Sequence, residues 1–183
     1  FGWLRSGVGR SGAADQRAYG LATRLLANPS GSAVIECLFG GLQVRMHAST
    51  LITVTGATAP LTVDGVPHGH ASVVAVRAGQ VIRLGVPESG VRSYLAVRGG
   101  IDTVPILGSR SRDTLSGIGP DPLTAGQTLP IGPEPQEWPI IDVAPVQPPT
   151  DEALRVRVRL GPRDDWFVDA VELYGEILRR QCR

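Results

Sequence analysis

Two arginines alternate with two serines at Ser109-Arg110-Ser111-Arg112, between Gly108 and Gly117. Guanidinium groups clamp oxyanions bidentately, hydroxyls and backbone amides donate to the same oxygens, and glycine lets the chain approach a ligand closely. The segment is therefore a candidate cradle for a phosphate or a carboxylate, and equally a solvated turn. Asp102, just after Gly99-Gly100, stands where it can act as an acid–base group or orient the arginines, and the Gly99 and Gly100 amides are candidate donors to a developing oxyanion. Upstream, Arg92 and Tyr94 fall on one face of an alternating strand.

Other spacings carry less. Gly7-Val8-Gly9-Arg10-Ser11-Gly12 matches the dinucleotide pattern G-x-G-x-x-G, with Glu36 at a tolerable distance for a ribose-binding acid. Only six residues precede the first glycine, however, and hairpins follow where a βαβ unit is required, so the nicotinamide or flavin reading fails on context. A weaker reading survives, in which Gly12, Asp15 and Glu36 form a structural or anion site at a helix N-terminus. His68-Gly69-His70 lacks a third ligand beyond Asp64, and no metal site is expected. Asp164-Asp165 reads as helix capping, and no nucleophile elbow is present.

All 18 basic residues are arginine. A chain without lysine carries no P-loop lysine, no Schiff base and no covalent biotin, so anions must be held by arginine or backbone. The net charge of +1 argues against a nucleic-acid or membrane-surface binder, and no apolar run is long enough to span a bilayer. Cys37 and Cys182 lie far apart without metal-type spacing and read as free thiols of a reducing, cytoplasmic compartment. The chain begins at Phe1 without a signal-peptide pattern.

The elements that must position these groups are mostly strands. A helix is expected over 15–27, with Ala18, Leu21, Ala22, Leu25 and Leu26 on one face, Asp15 as N-cap and Asn28-Pro29 as the stop. From 32 to about 97 the period is two: Leu42, Val44 and Met46, then Leu61 and Val63 before an Asp64-Gly65 hairpin, then Val74 and Val76 before Ala78-Gly79, then Ile82 and Leu84. Turn signals every 8–12 residues without helical crossovers imply a mainly β barrel or sandwich. Residues 133–151 are proline-dense and read as a linker. Beyond them, alternating "LRVRVRL" and a helical pattern through Phe167, Val171, Tyr174 and Leu178 read as the start of a second lobe.

Read together, "SGVGRSGAAD", "LLANPSGSAVIECLFGG", "TVTGATAPLTVDG", "RAGQVIRLG", "GVRSYLAVRGGID" and "ILGSRSRDTLSGIG" resemble, in that order, the family of allophanate hydrolase subunit 2, also described as biotin-dependent carboxyltransferase, KipA-like, or the C subunit of 5-oxoprolinase. The likeness covers about 1–132, and "LRVRVRLGPRDDWF" resembles the opening of the family's second half. It implies a cyclophilin-like β-barrel lobe at 1–132 with an N-terminal helix, the linker at 133–151, and a partial, incomplete second β lobe at 152–183. The family's usual first strand has no counterpart before Phe1, nor do its later blocks, so a truncated product or a second lobe represented only in part is expected.

The resemblance also implies partners: a KipI-like, allophanate hydrolase subunit 1 protein, and in the 5-oxoprolinase arrangement a third, LamB/YcsF-like subunit. The expected activity is ATP-dependent cleavage of a small cyclic or linear amide, with Mg supplied through the complex. Asp102, Arg110 and Arg112 are then the expected catalytic residues, and Arg92, Tyr94, Gly99, Gly100, Ser109 and Ser111 the expected substrate-binding ones. Two alternatives stand beside it: carboxyl transfer from carboxybiotin carried on another protein, and non-catalytic binding of a KipI-like regulator.

Overall fold

The computed structural model describes Val8, residues 11–147, Trp166 and Glu172. The chain divides into two compact units, Phe1–Thr150 and Asp151–Arg183. The expected second lobe, its helix, Asp164-Asp165, Cys182 and most of the G-x-G-x-x-G run lie outside the described residues.

In the first unit one helix, α1 (Gln16–Leu25), precedes eight strands: β1 (Ile35–Leu38), β2 (Leu42–Arg45), β3 (Thr50–Thr58), β4 (Leu61–Val63), β5 (Val66–His68), β6 (Val74–Val76), β7 (Val81–Leu84) and β8 (Ser89–Val97). They form two four-stranded antiparallel sheets, ordered β1-β8-β3-β6 and β2-β7-β4-β5. The mainly β expectation holds, but the described strands group into two separate sheets and not a closed barrel. Inward residues of both meet in one core: Ile52, Val54, Val76, Leu95 and Val97 from the first, Leu61, Val63, Ile82 and Leu84 from the second. Each such side chain removed from water contributes about 1.5–3 kcal/mol.

The turns explain the grouping. Asp64 and Gly65 both have positive φ, 49° and 81°, as a two-residue hairpin with primed-turn geometry requires. The Ala78-Gly79 turn does something different from what periodicity suggests: β6 pairs with β3 while β7 pairs with β2 and β4, so this turn carries the chain from one sheet to the other. Alternating side chains record which face is buried, not which strand is the neighbour.

The helix lies over the outer face of the first sheet. Asp15 caps it, its Oδ1 accepting from the Arg17 and Ala18 amides at 2.9 and 3.0 Å. Ala22 and Leu26 pack with Ala96, and Leu25 with Ala71 and Ala144. The helix stops at Leu25 with Leu26 as its C-cap, two residues short of the expected end, because Ala27 turns left-handed at φ 52°. Asn28 then joins it to the sheet, its Nδ2 donating to the Val97 carbonyl and its Oδ1 accepting from the Gly99 amide, both at 2.8 Å. Residues 134–144 of the proline-dense segment run against the same unit, where Val73 donates to the Asp142 carbonyl and Ala144 to that of Ala71. Among the described residues no helix is long and apolar enough to cross a membrane.

Candidate functional site

β8 is long, and its two faces have separate duties. Leu95 and Val97 enter the core between the sheets, while Ala96 packs under α1 with Ala22 and Leu26. Because side chains alternate, Arg92, Tyr94 and Arg98 share the Ala96 face. Tyr94 sits below the helix N-terminus and Arg98 below its C-terminus.

At the N-terminal end the register places Glu36 of β1 opposite Tyr94, and Leu38 opposite Arg92. Tyr94 donates its hydroxyl hydrogen to Glu36 Oε2 at 2.9 Å and accepts the Asp15 amide at 2.8 Å. The same Oε2 accepts the Ala14 amide at 3.0 Å, and Arg92 Nη1 donates to Oε1 at 2.6 Å. Burial, reinforced by the neighbouring Glu36 carboxylate, pushes the Tyr94 hydroxyl up to about 12, so it remains a proton donor. Residues expected as substrate binders (Arg92, Tyr94) and those expected as a separate structural or anion site (Asp15, Glu36) are thus one network. The positive end of the helix already holds the protein's own carboxylates, Asp15 and Glu36. Gly12 leads into this turn at φ 130°.

A hydroxyl cluster lies on the other side of Gly12. Ser11 Oγ is 3.4 Å from Ser109 Oγ, which is 2.8 Å from Ser111 Oγ. The structure therefore brings Ser11 to the arginine–serine loop. Arg110 is exposed, its Nε donating to the Thr103 carbonyl at 3.0 Å and its Nη1 reaching that of Gly31 at 3.5 Å. Arg112 Nη1 pairs with Asp121 at 2.8 Å and also reaches the Pro120 carbonyl.

Two expected groupings do not form. Asp102 is exposed, its amide donating to the Pro130 carbonyl, and it makes no ion pair with either arginine among the described residues. The arginines are oriented by backbone carbonyls and Asp121 instead. The Gly99 amide is engaged by Asn28 and that of Gly100 by the Val97 carbonyl, so neither is directed at a ligand. Their glycine character has a packing cause: a Cβ on Gly99 would lie 2.5 Å from the Gly132 carbonyl oxygen, and one on Gly100 3.1 Å from Ser32 Cβ.

The residues left to meet an anion are the Arg92 guanidinium buttressed by Glu36, the exposed Arg110, and the Ser11, Ser109 and Ser111 hydroxyls. Among the described residues no cluster of histidine, cysteine and acids is suited to a metal ion. His70 Nδ1 is buried without a hydrogen-bond partner, and burial lowers the imidazole's proton affinity.

Residues 6–174 match the family described as carboxyltransferase domain, subdomain A and B. The chain belongs to the carboxyltransferase-domain family. The chain is 36% identical over 134 residues to the C subunit of 5-oxoprolinase from Escherichia coli, covering 72% of itself and 43% of that protein. It is 38% identical over 118 residues to urea amidolyase of Saccharomyces cerevisiae, covering 64% of itself and 6% of that chain. Among solved structures it superposes on TTHA0988 with a TM-score of 0.74 at 32% identity, covering 85% of itself and 58% of that chain. The chain spans less than two thirds of the length of each of these relatives.

Arg98 was not singled out by its sequence context, and it organises the far end of β8. Its side chain is 1% exposed. Nε donates to Glu134, Nη1 to the Leu26 carbonyl at the helix end, and Nη2 to the Pro135 and Glu137 carbonyls, while Trp138 covers the guanidinium at 4.4 Å. A cation at a helix C-terminus is favourable, and the planar fork meets several acceptors at once. The available signal was parity: Arg98 shares a strand face with Arg92 and Tyr94, and that face carries a helix.

Proposed function

We propose that this chain is a subunit of a hetero-oligomeric, ATP-dependent amide-cleaving hydrolase, most like 5-oxoprolinase, with its active site completed by a partner subunit. The observation that carries the reading is Arg92, fixed by Glu36 at 2.6 Å yet 41% exposed, in a chain related to the C subunit of 5-oxoprolinase. A guanidinium braced on one side by a carboxylate keeps N–H groups for a second carboxylate, such as that of 5-oxoproline.

A lactam carbonyl is a poor electrophile. Phosphorylation of its oxygen by ATP, with ADP leaving, activates the carbon; water then adds, the C–N bond breaks to leave an acyl phosphate with a free amine, and a second water hydrolyses that acyl phosphate to glutamate and phosphate. Negative charge grows on oxygen throughout, and preorganised donors stabilise it. The α1 N-terminus does not fit a phosphate, because Asp15 and Glu36 fill it. Arg110 with the Ser11, Ser109 and Ser111 hydroxyls does fit, whereas the Arg112 charge is offset by Asp121 until a ligand or the partner displaces it. Mg comes with the nucleotide through the complex. Asp102 is exposed on the same loop and retains a proposed acid–base role.

The test is ATP-dependent glutamate release from 5-oxoproline by the assembled complex. Arg110→Ala should abolish turnover. Arg92→Ala should raise KM for 5-oxoproline far more than KM for ATP. Full activity in both variants overturns the proposal.

Likeness to urea amidolyase and to the Kluyveromyces lactis urea carboxylase structure, TM-score 0.55, favours a second reading, carboxyl transfer from carboxybiotin. The same donors would then hold a carboxylate, and biotin would ride on another protein. Dependence of turnover on bicarbonate, with an avidin-reactive partner, selects this reading over the first.

A further inference from the structure

One end of the sandwich displays a set of apolar side chains beside Arg92. Phe39 donates its amide to the Val91 carbonyl at 2.9 Å, and Gly40 packs its backbone against Gly85 and Val86. Leu38, Phe39, Val86 and Val91 are all exposed, Phe39 by 58%. Phe39 is also held at φ 57°, a conformation disfavoured for a bulky residue. The turn thus accepts backbone strain and still places a phenyl ring in water, which folding alone does not reward.

Among the described residues the adjoining strand edge is open. The Phe39–Val91 bond fixes the alternation along β1: Ile35, Cys37 and Phe39 exchange backbone bonds with β8, so the N–H and C=O groups of Glu36 and Leu38 point off the sheet. β1 pairs with no strand other than β8 among the described residues. On the rim, Glu88 has no ion pair among the described residues, while Arg92 is paired with Glu36, so the patch is apolar at its centre and carries one uncompensated carboxylate at its margin.

We propose that this end, comprising Leu38, Phe39, Val86, Val91 and the outer edge of β1, is the docking surface for the partner subunit. The matching surface presents an extended segment that pairs with Glu36 and Leu38, apolar side chains around Phe39, and an arginine or lysine opposite Glu88. Backbone bonds along an open edge supply affinity, and the apolar centre with a charged rim supplies register. Docking there seats the partner beside Arg92, which Leu38 faces across β1 and β8. This inference rests on the functional reading that a partner completes the site.

The experiment measures the dissociation constant between the full chain and the allophanate hydrolase subunit 1-type protein of the same organism, by calorimetry, with sedimentation to read self-association. Phe39→Asn is the decisive variant, because asparagine suits the left-handed conformation. It should leave the melting temperature unchanged or raised while weakening association about tenfold or more. Glu88→Arg should weaken association, and Val66→Asp, on the edge strand of the other sheet, should not. If the wild-type proteins associate but Phe39→Asn binds equally well, the docking surface is misplaced and the functional reading stands. If the wild-type proteins do not associate, the functional reading falls and takes this inference with it. If Phe39→Asn instead dissolves a homodimer, the occupant is a second copy and the proposal is overturned.

Discussion

The Tyr94 hydroxyl donates to the Glu36 carboxylate across a strand pair, at 2.9 Å, and the amide of Asp15 donates back to the same phenolic oxygen. One phenol therefore ties β1, β8 and the start of α1 together. Tyr94→Phe removes both bonds while keeping the ring. It should cost about 1–3 kcal/mol, as expected when buried polar groups lose a partner, read as a lower urea midpoint at unchanged slope. An unaltered midpoint would show that the network is incidental.

Replacing Arg98 should detach residues 134–138. Arg98→Leu leaves the Leu26, Pro135 and Glu137 carbonyls without their donor and removes the ring contact with Trp138. The loss should be on the order of 3 kcal/mol, most of it from orphaned carbonyls, because Glu134 is well exposed. Limited proteolysis between 134 and 144 should accelerate before the sheets open. Equal cleavage rates in variant and parent would contradict this.

Stability should fall as the solution is acidified through the histidine range. Burial lowers the His70 pKa in the fold, so below the unfolded value of 6.5 the unfolded chain takes up the proton first. The stabilisation is complete above that value and declines as pH drops toward the folded pKa. The drop in melting temperature between about pH 7.5 and about pH 5.5 should shrink in His70→Asn. A drop of the same size in both proteins would place the titration elsewhere.

Gly99→Ala should be far more damaging than Gly31→Ala, although both positions have positive φ, 92° and 87°. An added methyl at Gly99 meets the Gly132 carbonyl, whereas nothing lies within 4 Å of one at Gly31. The backbone cost is common to both, so thermal melting of the pair isolates the contact. Equal melting temperatures would mean that residues 130–132 yield freely.

Much of the first unit was legible from its residues because local chemistry decided it. Asp15 and Asp64-Gly65 act within a few residues of themselves, and each appears where its chemistry places it, whereas the helix expected to run to Asn28-Pro29 stops at Leu25 before a left-handed Ala27. The Ala78-Gly79 turn was legible as a turn but not as a passage between sheets, since strand partnership is settled by contacts distant in sequence. The site shows the same division. Arg92 and Tyr94 were visible as one strand face, yet their union with Glu36 and Asp15 depends on the register of β1 against β8. Asp102 beside Gly99-Gly100 looked like part of a cradle by proximity in sequence, and the fold turns those amides inward to Asn28 and Val97.

The carboxylates gathered at the start of α1 also constrain what the scaffold can become. A helix beginning is a ready seat for a phosphoryl group. Here vacating the seat would remove the helix cap and the brace on Arg92 together. Variation that would create an anion seat is therefore left to the serine-bearing loop, where residues can change without unfastening the helix.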